Sequence, residues 1–386
     1  MHRMNNTVSI AIVDSRCKPS IDSRGRWRQT RPFTKRRGQR VTVFSSMVAA
    51  GHEQVCFFHE PATGLRAIIA IHSTALGPGL GGVRIRTYHD EAQALTDVLR
   101  LSEAMTYKAA CAGLSCGGAK AVVMGPFPAD REAGMHALAD CIERVGGRYI
   151  ATEDMGMNES DIARLNDVTR FAVGRGLDEG GSGDPSPHTA QGVINGMRSA
   201  LRAAGMPDDF HSLKVAVQGC GNVGFGVIER LIAQGAEVWA SDVDQAAIER
   251  ARGAGAAIIA NDAIITADVD VFAPCGIGAV LNERSIPAIR ARVIAGAANN
   301  QLATDADAAR LAERGIVYAP DFVINAGGLI NVADEIDPAG YDSQRVADRV
   351  AGIETTLDEI FAEAERSGRT SAEVALALAH ARIGAA

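Results

Sequence analysis

Stretches of alternating polarity and stretches of helical periodicity succeed one another from about residue 54 onward. Gln54–Glu60 and Leu65–His72 are β-rich and flank Pro61-Ala62-Thr63-Gly64, which predicts two strands and a turn. Leu76–Gly82 reads as a glycine-rich loop. Asp90 fits an N-cap, and Leu95, Val98, Leu99 and Met105 mark the buried stripe of a helix running to about Met105. On this reading Lys108 lies just past the helix and Lys120 opens a strand, Ala121–Met124. Another helix and a short strand, Tyr149–Ala151, lead to Glu153-Asp154-Met155-Gly156.

Residues 174–187, GRGLDEGGSGDPSP, hold five glycines and two prolines and predict a boundary or hinge. A helix from about His188 to Ala204 follows. The strand Lys214–Gln218 then runs into Gly219-Cys220-Gly221-Asn222-Val223-Gly224 and a helix. Further strands are legible at Glu237–Ala240, Val269–Phe272, Arg292–Ala295 and Ile316–Tyr318, each ending in a small or polar loop. This alternation predicts an α/β chain whose second part is a parallel, doubly wound sheet. Two helices occupy about Ser343–Arg382, the second opened by a capping box, Thr370-x-x-Glu373.

Composition narrows the classes. The 386 residues suit two domains, and 47% hydrophobic with 5% aromatic content suits helix-covered parallel strands. No apolar run approaches the roughly 18 residues that span a membrane. Seven cysteines without a CxxC pair predict reduced thiols and a cytoplasmic setting, and the nine histidines lack metal-ligand spacing, so no metal is expected. Eleven of the 39 basic residues fall within residues 1–45, against two of the 46 acids, Asp14 and Asp22. The rest of the chain is therefore more acidic than the net charge of -7 suggests, which disfavours nucleic acid as a partner. The basic arm, residues 1–40, is expected to be disordered and outside the catalytic fold; it could be a tail, a targeting peptide, or sequence upstream of a start near Val41.

The candidate chemistry starts with two lysines. Lys108 and Lys120 sit among Cys111, Leu114, Cys116 and glycines, where partial desolvation would lower an amine's pKa toward that of a useful base. Such a pair could hold a carboxylate with one amine and do proton chemistry with the other. The GxGxxG run has the context its mechanism needs. Gly219 makes a tight turn, Gly221 admits the pyrophosphate, Gly224 lets helix and strand pack, and Asn222 and Val223 open the helix. Asp242, at the end of the next strand, would accept from ribose hydroxyls and repel a 2′-phosphate, favouring NAD over NADP.

Eight further runs appear in order: LGPGLGGVR, MTYKAACAGLSCGGAK, ATEDMG, GDPSPHTA, VQGCGNVG, FAPCGIGA, IAGAANNQL and IVYAPDFVINAGGLINVADE. On these the chain, from about residue 43 onward, resembles the Glu/Leu/Phe/Val amino-acid dehydrogenase family, and most of all its leucine-acting members. The resemblance implies a substrate-binding and oligomerisation domain over 41–175, an NAD-binding Rossmann domain over 176–354, helices 355–386 returning to the first, and a cleft between. It implies oxidative deamination of an L-amino acid to the 2-oxo acid and ammonia, with NADH formed, the reverse reductive amination, and a homo-oligomer. By that likeness Lys108 pairs with the substrate carboxylate, Lys120 is the general base, and Asp154 shuttles protons to the substrate nitrogen. Thr189 contacts the nicotinamide carboxamide, and Ala273, Pro274 and Cys275 border the cofactor. Asn299 bonds substrate or nicotinamide, with Asn300 an alternative one residue away; His188 is read as a loop residue and not a base.

Glutamate-acting members of that family carry a lysine in place of Leu80 and a serine in place of Val332. A glutamate carboxylate would be buried unpaired here, whereas an apolar side chain gains roughly 1.5–3 kcal/mol from burial. Leu80, Gly81, Thr152, Leu329 and Val332 are thus expected to line the substrate pocket. Thr152 and Leu329 are larger than the alanine and valine of typical leucine enzymes. The expectation is a branched-chain amino acid, leucine first, then isoleucine and valine. Phenylalanine or valine as preferred substrate, or a non-catalytic nucleotide-binding regulator, is the alternative.

Overall fold

The computed structural model describes residues 42–386; the basic arm, residues 1–40, lies outside the described residues. The chain opens with α1 (Val43–Ala50), then builds β1 (Gln54–Glu60), β2 (Leu65–Ser73), β3 (Gly79–Arg86), α2 (Glu91–Cys111), β4 (Gly117–Met124), α3 (Arg131–Glu143), β5 (Tyr149–Glu153) and α4 (Glu159–Asn166). The strands form a mixed sheet in the order β1-β2-β4-β3-β5. β1, β2 and β4 pair antiparallel, while β3 pairs parallel with both β4 and β5.

Strand β3 occupies the segment expected to be a glycine-rich loop. Its glycines serve close packing and not a turn. A Cβ on Gly81 would fall 1.8 Å from Ala119 O, and one on Gly79 2.7 Å from Ala119 Cβ. Only bare backbone lets β3 lie between β4 and β5 at this spacing.

The two lysines also sit differently from expectation. Helix α2 does not stop at Met105 but runs to Cys111, so Lys108 occupies its last turn, where a cation complements the carbonyl end of the helix. Asp90 caps the start by accepting from Gln93 N at 2.7 Å. Thr106, a poor helix former, is 1% exposed, and its hydroxyl bonds His72 Nδ1 at 2.8 Å; burial outweighs its propensity. Lys120 lies within β4 and does not open it. Beneath Thr106 a Cβ on Gly118 would come within 2.1 Å of the Thr106 amide nitrogen. The glycines of β4 thus let α2 settle onto the sheet, which brings Lys108 toward Lys120.

The second part of the chain follows: α5 (Ser186–Ala203), β6 (Lys214–Gln218), α6 (Asn222–Ala233), β7 (Glu237–Ser241), α7 (Gln245–Gly253), β8 (Ala257–Ile258), β9 (Val271–Pro274), β10 (Val293–Ile294), α8 (Ala306–Glu313), β11 (Val317–Tyr318), α9 (Asp321–Ile324), α10 (Gly327–Ala333), α11 (Ser343–Ser367) and α12 (Ser371–Gly384). Its sheet is parallel throughout, in the order β11-β10-β9-β6-β7-β8. Counted from β6 this is the 3-2-1-4-5-6 order of a dinucleotide-binding fold, with its switch point between β6 and β9. Buried α5 packs on α10 and α11, its Gly196 backbone close against Ile324 and Leu357. Thr370 and Glu373 close the capping box of α12. That helix lies along α2, where Arg382 Nη1 donates to the carbonyls of Ala110 (3.0 Å) and Cys111 (2.6 Å), satisfying the end of the helix that carries Lys108.

Candidate active site

Strands β3, β4 and β5 place three charged side chains together. Lys120 Nζ lies 2.8 Å from Asp154 Oδ2, and Arg84 Nε reaches the same oxygen at 3.0 Å. The Lys120 side chain is only 7% exposed. Burial depresses the Lys120 pKa; the Asp154 charge opposes this, and Arg84 adds to it. Burial disfavours the Asp154 carboxylate, yet the Lys120 and Arg84 charges outweigh it and hold the carboxyl below its ordinary value. Gly82 leaves room for the pair: a Cβ there would sit 2.9 Å from Lys120 Nζ and 2.6 Å from Asp154 Cβ.

Lys108 faces the pair from α2. Burial, countered by Asp321 and abetted by Lys120, lowers its pKa to about 8. Its Nζ donates to Asn299 Oδ1 at 3.2 Å, and Asn325 Nδ2 donates to that oxygen at 2.8 Å. Asn299, and not Asn300, therefore faces the lysines. Asn300 has a left-handed φ of 52° and gives its carbonyl to Ala279 N. Asp321, at the start of α9, accepts from Gln301 N and Phe322 N, and burial raises its pKa.

A cavity of about 260 Å³ joins these groups. Gly82, Met105, Lys108, Lys120 and Thr152 line it on one side, and Thr189, Val223, Asn299, Leu329 and Val332 on the other. Leu329 and Val332 sit on α10, 7% and 5% exposed. One end is thus charged, one wall is apolar, and Val223 connects it to the glycine turn after β6.

That turn fits a dinucleotide. Gly219 has a φ of 96°, and a Cβ on Gly224 would fall 1.9 Å from Gly219 O, so both positions require glycine. A Cβ on Gly221 would meet nothing within 4 Å, leaving open space over the start of α6. Gly221 offers no side-chain cap there, so the first amides of the helix remain for an anionic ligand. Asp242 closes β7 and accepts from Cys220 N at 2.5 Å and from the amides of Val243 and Asp244. Burial works against its ionisation, but these amides and Arg250 keep its pKa below the usual value.

Comparison with known proteins agrees with this layout. Residues 52–171 match the model of the Glu/Leu/Phe/Val dehydrogenase dimerisation domain, and residues 180–254 and 240–386 match that of Glutamate/Leucine/Phenylalanine/Valine dehydrogenase. The chain belongs to the Glu/Leu/Phe/Val dehydrogenase family. It is 43% identical over 345 residues to the leucine dehydrogenase of Bacillus cereus, covering 89% of this chain and 94% of that one. It is 39% identical over 351 residues to the phenylalanine dehydrogenase of Bacillus thermotolerans, covering 89% and 91%. The crystal structure of L-tryptophan dehydrogenase from Nostoc punctiforme superposes with a TM-score of 0.77 at 39% identity, covering 88% of this chain and 98% of that one. The activity is NAD-dependent amino-acid dehydrogenation on a two-domain α/β fold.

Within this family member some expected site residues are displaced. Leu80 and Gly81 do not line the cavity. Leu80 is fully buried, in the apolar cluster that also holds Leu329 and Val332. Gly81 points at Ala119, and Gly82 is the glycine at the lysine–aspartate pair. Ala273 and Pro274 are buried inside β9; Cys275 and Gly276 follow, and Gly276 approaches Gly219. His188 is in the first turn of α5 and not in a loop, off the cavity wall, whereas Thr189 lines it and donates to Pro185 O at 3.1 Å. Arg84, Asp321 and Asn325 were not anticipated. Arg84 was legible in principle: two residues after Gly82 in a strand, it must share its face. Asp321 and Asn325 depend on tertiary packing and left no such trace. Among the described residues no group of three His, Cys, Asp or Glu is placed to hold a metal, and no helix is long and apolar enough to cross a membrane.

Proposed function

We propose that the chain oxidatively deaminates a branched-chain L-amino acid, leucine foremost, to the 2-oxo acid and ammonia, and catalyses the reverse amination. The observation that carries this reading is one cavity lined by Lys108, by Lys120 with Asp154 bonded to it at 2.8 Å, and by the apolar Leu329 and Val332. Lys108 holds the substrate α-carboxylate as an ammonium–carboxylate pair. The substrate side chain lies along Leu329 and Val332, with Thr152 at its edge. Asp154, kept ionised by its two cations, takes protons from the substrate nitrogen. Gly219–Gly224 would hold NAD, which when bound would supply the acceptor for the hydride of the substrate Cα. Lys120, neutral, removes a proton from the water that attacks the resulting imine and returns it as ammonia leaves. Asn299 holds Lys108, and Thr189, on the cavity wall, would contact the carboxamide of the cofactor.

Among the described residues that line the cavity the cations are Lys108 and Lys120, so a glutamate side-chain carboxylate along Leu329 and Val332 would be desolvated without a partner. Phenylalanine is the second reading, supported by the 39% identical phenylalanine dehydrogenase. Self-association through the first domain is supported by its match to a dimerisation-domain model and by exposed Phe44, Val48 and Phe57. The decisive experiment measures NAD reduction with leucine, isoleucine, valine, phenylalanine, tryptophan and glutamate. Leucine should give the highest kcat/KM and glutamate a negligible rate. Comparable glutamate turnover would overturn the apolar-pocket reading, and a faster rate with phenylalanine would replace the branched-chain assignment.

A further inference from the structure

The carboxylate of Asp154 has two cations on one oxygen, and only one of them can change its charge during a catalytic cycle. Lys120, at 2.8 Å, must be neutral when it takes a proton from water; at that moment it ceases to be a counter-ion. Arg84, at 3.0 Å from the same oxygen, stays charged at any working pH. Arg84 is itself anchored from behind. Its Nη1 lies 3.3 Å from Asp97 Oδ2 on α2, and Tyr88 donates its hydroxyl to that oxygen at 2.8 Å. The Asp97 side chain is 11% exposed, so this anchor is shielded from solvent.

We propose that Arg84 is the positioning residue of the site: the permanent counter-charge that keeps the Asp154 carboxylate oriented and ionised while Lys120 exchanges its proton. The inference rests on the roles proposed above for Lys120 and Asp154, and it separates their two proton transfers. Without Arg84, loss of the Lys120 charge would leave a mostly buried carboxylate with no adjacent cation, and the proton taken from water would pass to Asp154. With Arg84, it stays on Lys120. The charged and titratable groups facing Asp154 are Lys120 of β4, Arg84 of β3, Lys108 of α2 and Tyr149 of β5, with Glu153 adjacent in the chain and Asp97 of α2 behind Arg84. Arg84 lowers the pKa of both Lys120 and Asp154, so its removal moves both groups in the same direction.

The test uses the full chain with NAD and the best amino acid of the panel, and compares Arg84→Gln, Arg84→Lys and Asp154→Asn. For Arg84→Gln, kcat should fall about a hundredfold, and the ascending limb of the kcat–pH profile should move up by about one unit. The KM of the amino acid should change less than about threefold, and NADH binding by fluorescence should be unchanged. Arg84→Lys keeps a charge but cannot span Asp154 and Asp97, so it should lose about tenfold in kcat with its ascending limb unmoved. Arg84→Gln with reduced kcat but a wild-type limb would make Arg84 merely structural and overturn the proposal. So would an Arg84→Lys limb displaced upward, a readout that remains if Arg84→Gln does not fold. An active Asp154→Asn would defeat the role of Asp154 and this inference with it. An inactive Asp154→Asn beside an unshifted Arg84→Gln would defeat the inference alone.

Discussion

Lys108 on α2 and Asn299 on the loop after β10 meet across the cavity, Nζ to Oδ1 at 3.2 Å, a polar contact between the two domains. Asn325 steadies the same oxygen, and its amide also reaches Ala297 O at 3.0 Å. The amine proposed to hold the substrate carboxylate is therefore aimed by the cofactor domain. Asn299→Ala should lower kcat/KM about ten- to a hundredfold, mostly through KM, because a hydrogen bond to a charged group contributes roughly 1.5–3 kcal/mol. Steady-state kinetics decide this, and an unchanged KM would remove Asn299 from substrate binding.

The pKa of Lys108, near 8, predicts a limb in the pH profile. Below that pH the amine is charged and binds the carboxylate; above it the free enzyme loses the charge. The value of kcat/KM should therefore fall as pH rises through about 8. Lys120, in the role proposed for it, acts in its neutral form and should contribute to the ascending limb instead. Lys108→Arg keeps its charge, so its descending limb should shift beyond about pH 10, whatever happens to the maximum rate. A limb that stays near pH 8 in the variant would belong to some other group.

Much of this was legible in the sequence because local signals agreed with the fold. The strand–GxGxxG–helix run and the Thr370 capping box are set by neighbours along the chain, and they stand as read. The failures have one physical cause. Gly79, Gly81 and Gly82 look like a loop because glycine weakens a strand, but three packed strands require bare backbone there. Thr106 and Tyr107 look like a helix end, yet Thr106 is buried against β4 and the helix continues. Lys120 and Asp154 could be named from motifs, while the bond that Arg84 adds to Asp154 needs the register of β3 beside β4 and β5.

Asp242 should set cofactor choice. Its carboxylate is held at the end of β7 by three backbone amides and stays ionised through the working range. A 2′-phosphate would meet that charge. Asp242→Ser removes it and leaves Arg250 nearby, so the preference for NAD over NADP in kcat/KM should shrink by at least about tenfold, ~1.4 kcal/mol. Equal use of both cofactors by the unaltered enzyme would contradict the assignment.

Pocket size should follow Thr152 and Leu329. Thr152 Oγ1 is already close to the backbone at Gly174, where a Cβ would come within 3.2 Å of it, so that wall has little room to yield. Trimming both residues, Thr152→Ala with Leu329→Val, should raise the kcat/KM of phenylalanine relative to leucine by about ten- to two-hundredfold, the range that one or two methyl-sized changes allow. An unchanged ratio would place the substrate side chain elsewhere in the cavity.

The apolar wall has its own support in Asp334. This residue follows α10 and is fully buried. It receives Arg345 Nε at 2.6 Å and Nη2 at 2.7 Å, Arg349 Nη1 at 3.2 Å and the backbone amide of Asp342 at 2.7 Å. These bonds tie the helix carrying Leu329 and Val332 to the start of α11. Removing one partner of a buried ion pair costs about 3–5 kcal/mol. The Arg345 and Arg349 side chains are 27% and 38% exposed and can turn to water, so Asp334→Ala should fall at the low end, about 3 kcal/mol. The thermal midpoint should drop by roughly 5 °C or more. The KM of the amino acid should rise while NADH binding holds, because the loosened helix lines the substrate pocket and not the glycine turn. Calorimetry and a fluorescence titration separate the two effects. An unchanged midpoint would mean that α10 is fixed by its apolar packing alone.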